Sequence, residues 1–207
     1  MGALSVALTL FAIATFLIIT QPPRPPPPIP MDNTLVKVVP SKSVVLPGDP
    51  FSVDIIIQPA AGALAAGWQM DLKFNPQALK VNSVAEGNFL KQNGANTFFG
   101  MFGAGGGIDN TAGIVKNITA TIITPGQSVT AAAVAVTLQC AALASGKTSA
   151  FALDPAKTIV GDINAQALPL DLTMVGQVAV TYSTDLNLDG KVDVADLQLL
   201  VAVFAST

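Results

Sequence analysis

The chain has 207 residues, of which 51% are apolar and 11% charged, with 17 Gly and 15 Pro. This composition is typical of a turn-rich all-β domain with short appendages. With a net charge of −3 and no basic stripe, the sequence lacks the electrostatic footprint of nucleic-acid binding. Because there is no His, the common catalytic triads and dyads are excluded, and we expect no enzymatic activity. The single cysteine, Cys140, excludes an intrachain disulfide, and its place in an apolar strand pattern predicts a buried thiol.

Residues 1–20 carry no charge and are almost entirely apolar. As a helix they would measure about 30 Å, enough to cross the core of a bilayer. Three alternatives stay open: a retained membrane anchor, a helix packed among copies of itself, or a cleaved signal peptide, although the first basic residue is Arg24, on the far side of the segment. The segment resembles the start of a mature type IV pilin-like subunit, with Gly2 where a short leader would end.

Residues 21–32 are rich in proline and include the sequence QPPRPPPPIP. Consecutive prolines lock the chain into a polyproline II helix of about 3.1 Å per residue. We therefore predict a stiff stalk between the apolar segment and the rest of the chain.

Residues 33–183 change to a hydrophobic period of two, which predicts half-buried strands. Four stretches show the pattern, and their predicted core residues are Phe51, Val53, Ile55 and Ile57, then Trp68, Met70, Leu72 and Phe74, then Val134, Val136, Leu138 and Cys140, and finally Leu170, Leu172 and Met174. Turn signals separate these stretches at 47–50, 75–76, 125–126 and 145–146. The glycine-rich stretch 100–107 lacks the Lys-Ser/Thr pair of a phosphate-binding loop and is predicted to be a flexible insertion.

These stretches resemble a cohesin domain. The matching pieces are VKVVPSKSVVLPGDPFSVDIII, GWQMDLKFNPQALKVNSVAEGNFL, GQSVTAAAVAVTLQCAAL, GKTSAFAL and VGQVAV, in that order. The resemblance implies an all-β fold, a nine-stranded jelly-roll β-sandwich whose flat face can receive a partner module.

An acidic loop begins at Asp185, and its oxygen-bearing side chains occupy positions 1, 3, 5, 9 and 12, with Gly190 at position 6. Calcium takes six to eight oxygen ligands, and a glycine at the sixth position permits the tight turn. The predicted Ca²⁺ ligands are Asp185, Asn187, Asp189, the backbone carbonyl of Lys191, Asp193 and Asp196. Without metal the carboxylates repel each other, so we expect the loop to order when calcium binds.

Residues 184–207 resemble a dockerin type I repeat, because position 12 of the loop is Asp and one short helix follows, from Val194 to about Phe204. In dockerins the residues that match Val194 and Ala195 help to choose the cohesin partner. The predicted docking residues of this helix are Val194, Ala195, Leu197, Leu199, Leu200, Val203 and Phe204.

A glycosylation sequon, Asn117-Ile118-Thr119, lies in a predicted strand. Asn117 has the same parity as Thr119 and Thr121, so we expect its side chain to be exposed.

A cohesin-like acceptor and a dockerin-like donor on one chain favour a secreted or cell-surface structural protein that binds calcium. Its copies would link head to tail into a filament or scaffold. Two alternatives stay open. One is a cellulosome-type scaffold component that docks other proteins to polysaccharide, although aromatics make up only 6% of the chain. The other is a monomeric surface protein held in a membrane by residues 1–20. The expected partners are copies of the chain or a separate cohesin or dockerin.

Overall fold

The computed structural model describes residues 33–103, 105–182 and 193–205. Within these ranges the chain forms fourteen strands, a 3-10 helix at Phe89–Lys91 and an α-helix, α1, at Val194–Ala205. The strands are β1 (Thr34–Pro40), β2 (Val44–Val45), β3 (Pro50–Gln58), β4 (Ala65–Lys73), β5 (Leu79–Glu86), β6 (Thr97–Met101), β7 (Gly107–Asp109), β8 (Ile114–Ile122), β9 (Ala133–Ala142), β10 (Lys147–Ala150), β11 (Ala152–Leu153), β12 (Ile159–Asp162), β13 (Leu170–Asp171) and β14 (Gln177–Val180). The predicted N-terminal helix and proline stalk lie outside the described residues. No helix in the described ranges has the length and apolar character needed to cross a bilayer.

The strands form two large sheets and one small sheet. Sheet A has the order β13-β1-β3-β9-β5, and sheet B has the order β10-β14-β2. Sheet C has the order β11-β4-β8-β6, with β12 also beside β4 and β7 also beside β8. Buried side chains from all three sheets join one hydrophobic cluster. This arrangement is a β-sandwich, which confirms the predicted all-β fold.

Alternation places the predicted core residues of β3 and β4 inside the sandwich. Phe51, Val53, Ile55 and Ile57 are buried while their neighbours are half-buried or exposed. Trp68, Met70 and Leu72 of β4 are likewise buried in the shared core, but the intervening Asp71 is buried too, at a β-bulge in the pairing of β4 with β8. Each fully buried aliphatic or aromatic side chain stabilises the fold by about 1.5–3 kcal/mol.

Cys140 is buried in this core as predicted. Burial raises the pKa of its thiol to about 12, because the thiolate would be desolvated.

A β-bulge corrects the predicted pattern of β9. Ile55 pairs with Val136 and Ile56 pairs with Val134, so Ala135 is an extra residue between two pairs. As a result Ala135 is buried and Val134 is only half-buried.

Met174 was predicted in the core and is exposed. The strand that should carry it, β13, ends at Asp171, whose carboxylate accepts a hydrogen bond from the backbone N–H of Thr173 at 2.9 Å. This Asx turn bends the chain, so the alternation of the strand does not continue.

The described residues contain fourteen strands rather than nine because the chain crosses between sheets. β10 pairs with β14 in sheet B, and after one residue, Phe151, β11 pairs with β4 in sheet C. Each crossing interrupts a ladder of hydrogen bonds and divides one extended segment into two short strands. All four predicted turns are present.

Candidate functional site

The outer face of sheet C carries two adjacent rows of uncharged residues. Their strand neighbours Phe99, Ala120, Trp68 and Val160 are turned towards the core. Backbone pairing aligns the rows across β6, β8, β4 and β12. The first row is Phe98, Thr121, Gly67 and Gly161, and the second row is Gly100, Thr119, Gln69 and Ile159.

Two phenylalanines stack on this face. The rings of Phe98 and Phe102 are 4.7 Å apart at an interplanar angle of 12°, and their exposed fractions are 53% and 40%. The backbone N–H of Phe102 donates to the carbonyl of Asn117 at 3.2 Å, which anchors this part of the chain to β8. Because a Cβ added to Gly100 would collide with the Phe102 ring, the glycine lets the ring lie across β6.

Sequence reasoning missed this aromatic pair, and the structure corrects the interpretation of residues 100–107. Gly100 and Gly107 belong to β6 and β7, which both pair with β8. The signal was present in the sequence, because Phe98, Gly100 and Phe102 are spaced by two and therefore share one side of an extended chain.

Charged residues gather at the opposite end of sheet C. Lys73 forms an ion pair with Asp154 at 3.1 Å, and the hydrogen bond from Lys73, together with the backbone N–H of Ala156, lowers the pKa of the Asp154 carboxyl. The pKa of Asp109 is also lowered, mainly by the backbone N–H of Ala112. These charges lie away from the aromatic rows, whereas Asp162 of β12 directly follows Gly161 of the first row.

Asn117 lies between these two regions, at a β-bulge of β8. Its φ is 54°, and its backbone N–H donates to the buried carboxylate of Asp71 at 2.6 Å. The side chain of Asn117 is half-buried rather than exposed as expected. Glycosylation at Asn117 stays a prediction.

The outer face of sheet A has a different composition. The hydroxyl of Thr137 donates to the carboxylate of Asp54 at 2.6 Å, and the Lys37 ammonium donates to the side-chain carbonyl of Gln58 at 3.3 Å. Lys80 is exposed on the edge strand β5. Two polar pairs thus connect neighbouring strands on this face, which also exposes the apolar side chain of Val39.

Two of the predicted calcium ligands, Asp193 and Asp196, are described at the start of α1. Asp193 accepts a hydrogen bond from the N–H of Ala195 at 2.9 Å, and Asp196 accepts one from the N–H of Asp193 at 2.9 Å. This reciprocal arrangement is a capping box. Asp196 is 4% exposed, and a carboxylate so buried needs hydrogen bonds or a cation to compensate its charge. Asp185, Asn187, Asp189 and Lys191 lie outside the described residues.

The predicted docking helix begins at Val194 and ends at Ala205. Most of its large apolar side chains are exposed, and Ala195 is half-buried. The exposed ones are Val194, Leu197, Leu199, Leu200, Val201 and Phe204. Its only charged residue is Asp196.

No protein-family model matches the sequence, and no curated protein matches it. Three similar solved structures illustrate the fold. A type II cohesin domain from the cellulosome of Acetivibrio cellulolyticus aligns with a TM-score of 0.55 at 15% identity, over 71% of this chain and 95% of that one. The cohesin CaCohA2 from Clostridium acetobutylicum aligns with a TM-score of 0.54 at 22% identity, over 72% and 93%. A chain of a type I cohesin–dockerin complex from Clostridium thermocellum aligns with a TM-score of 0.54 at 11% identity, over 76% and 99%.

The sandwich therefore has the fold of a cohesin module, which confirms the predicted jelly roll. At these identities the likeness concerns the fold alone. The matches give no support to the dockerin-like or pilin-like resemblance of the two ends of the chain.

Proposed function

We propose that this chain is a non-enzymatic extracellular docking module, in which the outer face of sheet C receives an apolar helix of a partner. The observation that carries the proposal is the uncharged double row with its stacked Phe98 and Phe102. Centres of protein interfaces are depleted of charge and enriched in aromatic side chains. Two half-exposed phenylalanines supply apolar area that water solvates poorly and a partner can bury.

The partner most complementary to this face is helix α1 of a second copy. A helix with several charges would leave them desolvated and unpaired on an uncharged face, at a cost of several kcal/mol. Helix α1 has one charged residue and exposes Leu197, Leu200 and Val201 along one side. One similar structure is a complex of a type I cohesin with a dockerin, and the C-terminal segment of this chain resembles a dockerin repeat.

Contact between the sandwich of one copy and the helix of the next joins two different surfaces. Such heterologous contacts generate open chains of subunits unless the rotation between copies closes a ring. We therefore propose a surface filament or scaffold that grows by head-to-tail docking.

We further propose that calcium prepares the donor end. Asp193 and Asp196 place two carboxylates, whose oxygens suit a hard cation, at the first turn of α1. In the sequence they belong to the acidic loop that begins at Asp185. A bound calcium ion would neutralise the repulsion among the loop carboxylates. The capping box of Asp193 and Asp196 would then present α1 to its receptor.

The docking proposal is tested by the mass of the protein in solution. The full chain in millimolar calcium should form oligomers whose size grows with concentration in sedimentation velocity. The double variant Leu197→Asp with Leu200→Asp should be a monomer, because the side of α1 that docking would bury then carries two charges. The matched control is Gln198→Asp, which adds a charge to an exposed position between them.

A parent protein that stays monomeric at high concentration would refute docking of the second copy. The receptor would then take a dockerin helix from another protein, as in a cellulosome-type scaffold, and titration with isolated dockerin modules would detect it.

The calcium proposal is tested by calorimetric titration of Asp185→Asn combined with Asp189→Asn. These substitutions remove two charges from the loop and leave the Asp193–Asp196 cap in place. We expect calcium affinity to fall by about 100-fold or more, because affinity in such loops depends on the number of charged ligands. The control combines Asp54→Asn with Asp162→Asn in the sandwich, and equal affinities in both double variants would refute the site.

A further inference from the structure

Two glycines lie side by side at one end of the outer face of sheet C. Gly67 of β4 pairs with Gly161 of β12, and neither has a side chain to cover the sheet. A groove of about 360 Å³ opens above them. Its apolar walls include Ile123 and Ile163, which are 60% and 38% exposed.

The fold does not require a glycine at position 161. A Cβ added there would meet no atom closer than 4.0 Å, and its φ lies outside the left-handed region. By contrast, a Cβ at Gly87 would collide with the backbone of Val134, and one at Gly176 would lie 2.5 Å from the Pro40 ring. At those positions packing demands glycine, whereas at Gly161 the missing side chain only leaves space on the surface.

Two polar side chains at the groove, Asp162 and Thr121, already have partners within the chain. The carboxylate of Asp162 accepts hydrogen bonds from the backbone N–H groups of Asn164 at 2.9 Å and Gln166 at 2.7 Å. The hydroxyl of Thr121 donates to the carbonyl of Ala66 at 3.4 Å. An apolar side chain can therefore enter the groove without leaving these polar groups unpaired.

We infer that the Gly67–Gly161 groove is the pocket for one bulky apolar side chain of the docking helix, supplied by α1 of a second copy. This inference rests on the proposed docking function and names its anchor point. The candidate anchor side chains are the exposed Leu197, Leu200 and Phe204, which are spaced by three and four residues and therefore share one side of α1. The groove and the exposed side of the helix are both mostly apolar, and the one charged side chain that lines the groove, Asp162, already accepts backbone hydrogen bonds. Pockets that enclose an anchor side chain dominate interface energies.

The test fills the groove and measures self-association of the full chain by sedimentation in millimolar calcium. Gly161→Val should weaken association about tenfold or more, because the added side chain occupies the space of the anchor. Gly161→Ala should fall between Val and the parent. The matched control is Ser83→Val, which adds the same side chain to an exposed position on sheet A.

Outcomes for the groove and for docking itself are distinguishable. A folded Gly161→Val protein that associates as tightly as the parent overturns the groove and leaves docking intact, whereas a parent that does not associate overturns both. If circular dichroism shows that Gly161→Val does not fold, self-association of Gly161→Ala tests the pocket instead, because the fold has room for its methyl group. Leu197→Ala, Leu200→Ala and Phe204→Ala should each be made in the parent and in Gly161→Val. The substitution that removes the anchor should reduce affinity less in Gly161→Val than in the parent. If all three substitutions reduce affinity equally in both backgrounds, the pocket is contradicted.

Discussion

The outer faces of sheets A and C are made by the same alternation but carry different chemistry. In sheet A polar outward side chains pair across strands, as Thr137 does with Asp54. In sheet C the outward rows hold aromatic rings, small side chains and glycines, and they carry no charge. The inward residues of both sheets pack into one core, so the outward residues can contribute to stability or to binding.

This difference separates stability from binding. Polar pairs on sheet A are satisfied within the chain and gain nothing when a partner arrives. The exposed rings on sheet C gain only when a partner removes them from water, at about 25 cal/mol per Å² of apolar surface. Substitutions on sheet A should therefore change unfolding, and substitutions on sheet C should change association.

The largest effect should come from a charge placed in the centre of the uncharged rows. We expect Thr121→Arg to weaken self-association by about 100-fold or more, because the guanidinium would be desolvated without a partner. Sedimentation equilibrium measures this loss. Ser52→Arg, on the outward side of β3 in sheet A, is the control. If both variants associate equally well, the two faces do not differ in the way proposed.

A smaller loss should follow removal of one stacked ring. Phe98→Ala is expected to weaken association about tenfold, which corresponds to about 1.4 kcal/mol of binding free energy. Val39→Ala removes an exposed apolar side chain from sheet A and should leave association unchanged. Unaltered binding in Phe98→Ala would place the contact elsewhere on the molecule.

On sheet A the expected effect is on stability. Asp54→Ala should lower the free energy of unfolding by about 1 kcal/mol, because Thr137 loses its acceptor in a partly exposed position. Urea denaturation measures the loss, and Thr137→Val should produce a similar one that does not add to it. Association should be unchanged in both. A loss of association in Asp54→Ala would show that sheet A takes part in docking.

The smallest effect concerns the charged end of sheet C. The pKa of Asp154 is lowered by the hydrogen bond from Lys73 and by the N–H of Ala156. A carboxyl whose pKa is lower in the folded than in the unfolded state stabilises the fold at pH values above its unfolded pKa, which is near 3.8. This stabilisation is lost as the pH falls through the folded pKa. In Asp154→Asn, the free energy of unfolding should therefore fall less steeply as the pH is lowered into the acid range. An unchanged acid-unfolding curve would contradict this contribution.

Local pattern determined much of the sandwich. In β3 the period of two places Phe51 and Ile55 in the core, and the place of Cys140 in an apolar strand was enough to predict its burial. The turns at 47–50 and 145–146 follow from residues that are adjacent in sequence. These features depend on neighbours along the chain, so a single sequence can reveal them.

Strand pairing decided the rest. The bulge at Ala135 exists because β3 and β9 differ by one residue in their register. The spacing of Phe98 and Phe102 is visible in the sequence, but pairing with β8 holds this part of the chain in place so that the two rings stack.

Composition, alternation and turn residues thus determined by themselves that this protein is an all-β sandwich with a sealed core. Only the tertiary structure decided that Gly67 and Gly161 open a groove, because they become neighbours when β12 pairs with β4. Burial follows from the order of residues along one strand, whereas a surface is assembled by hydrogen bonds between strands that are far apart in sequence.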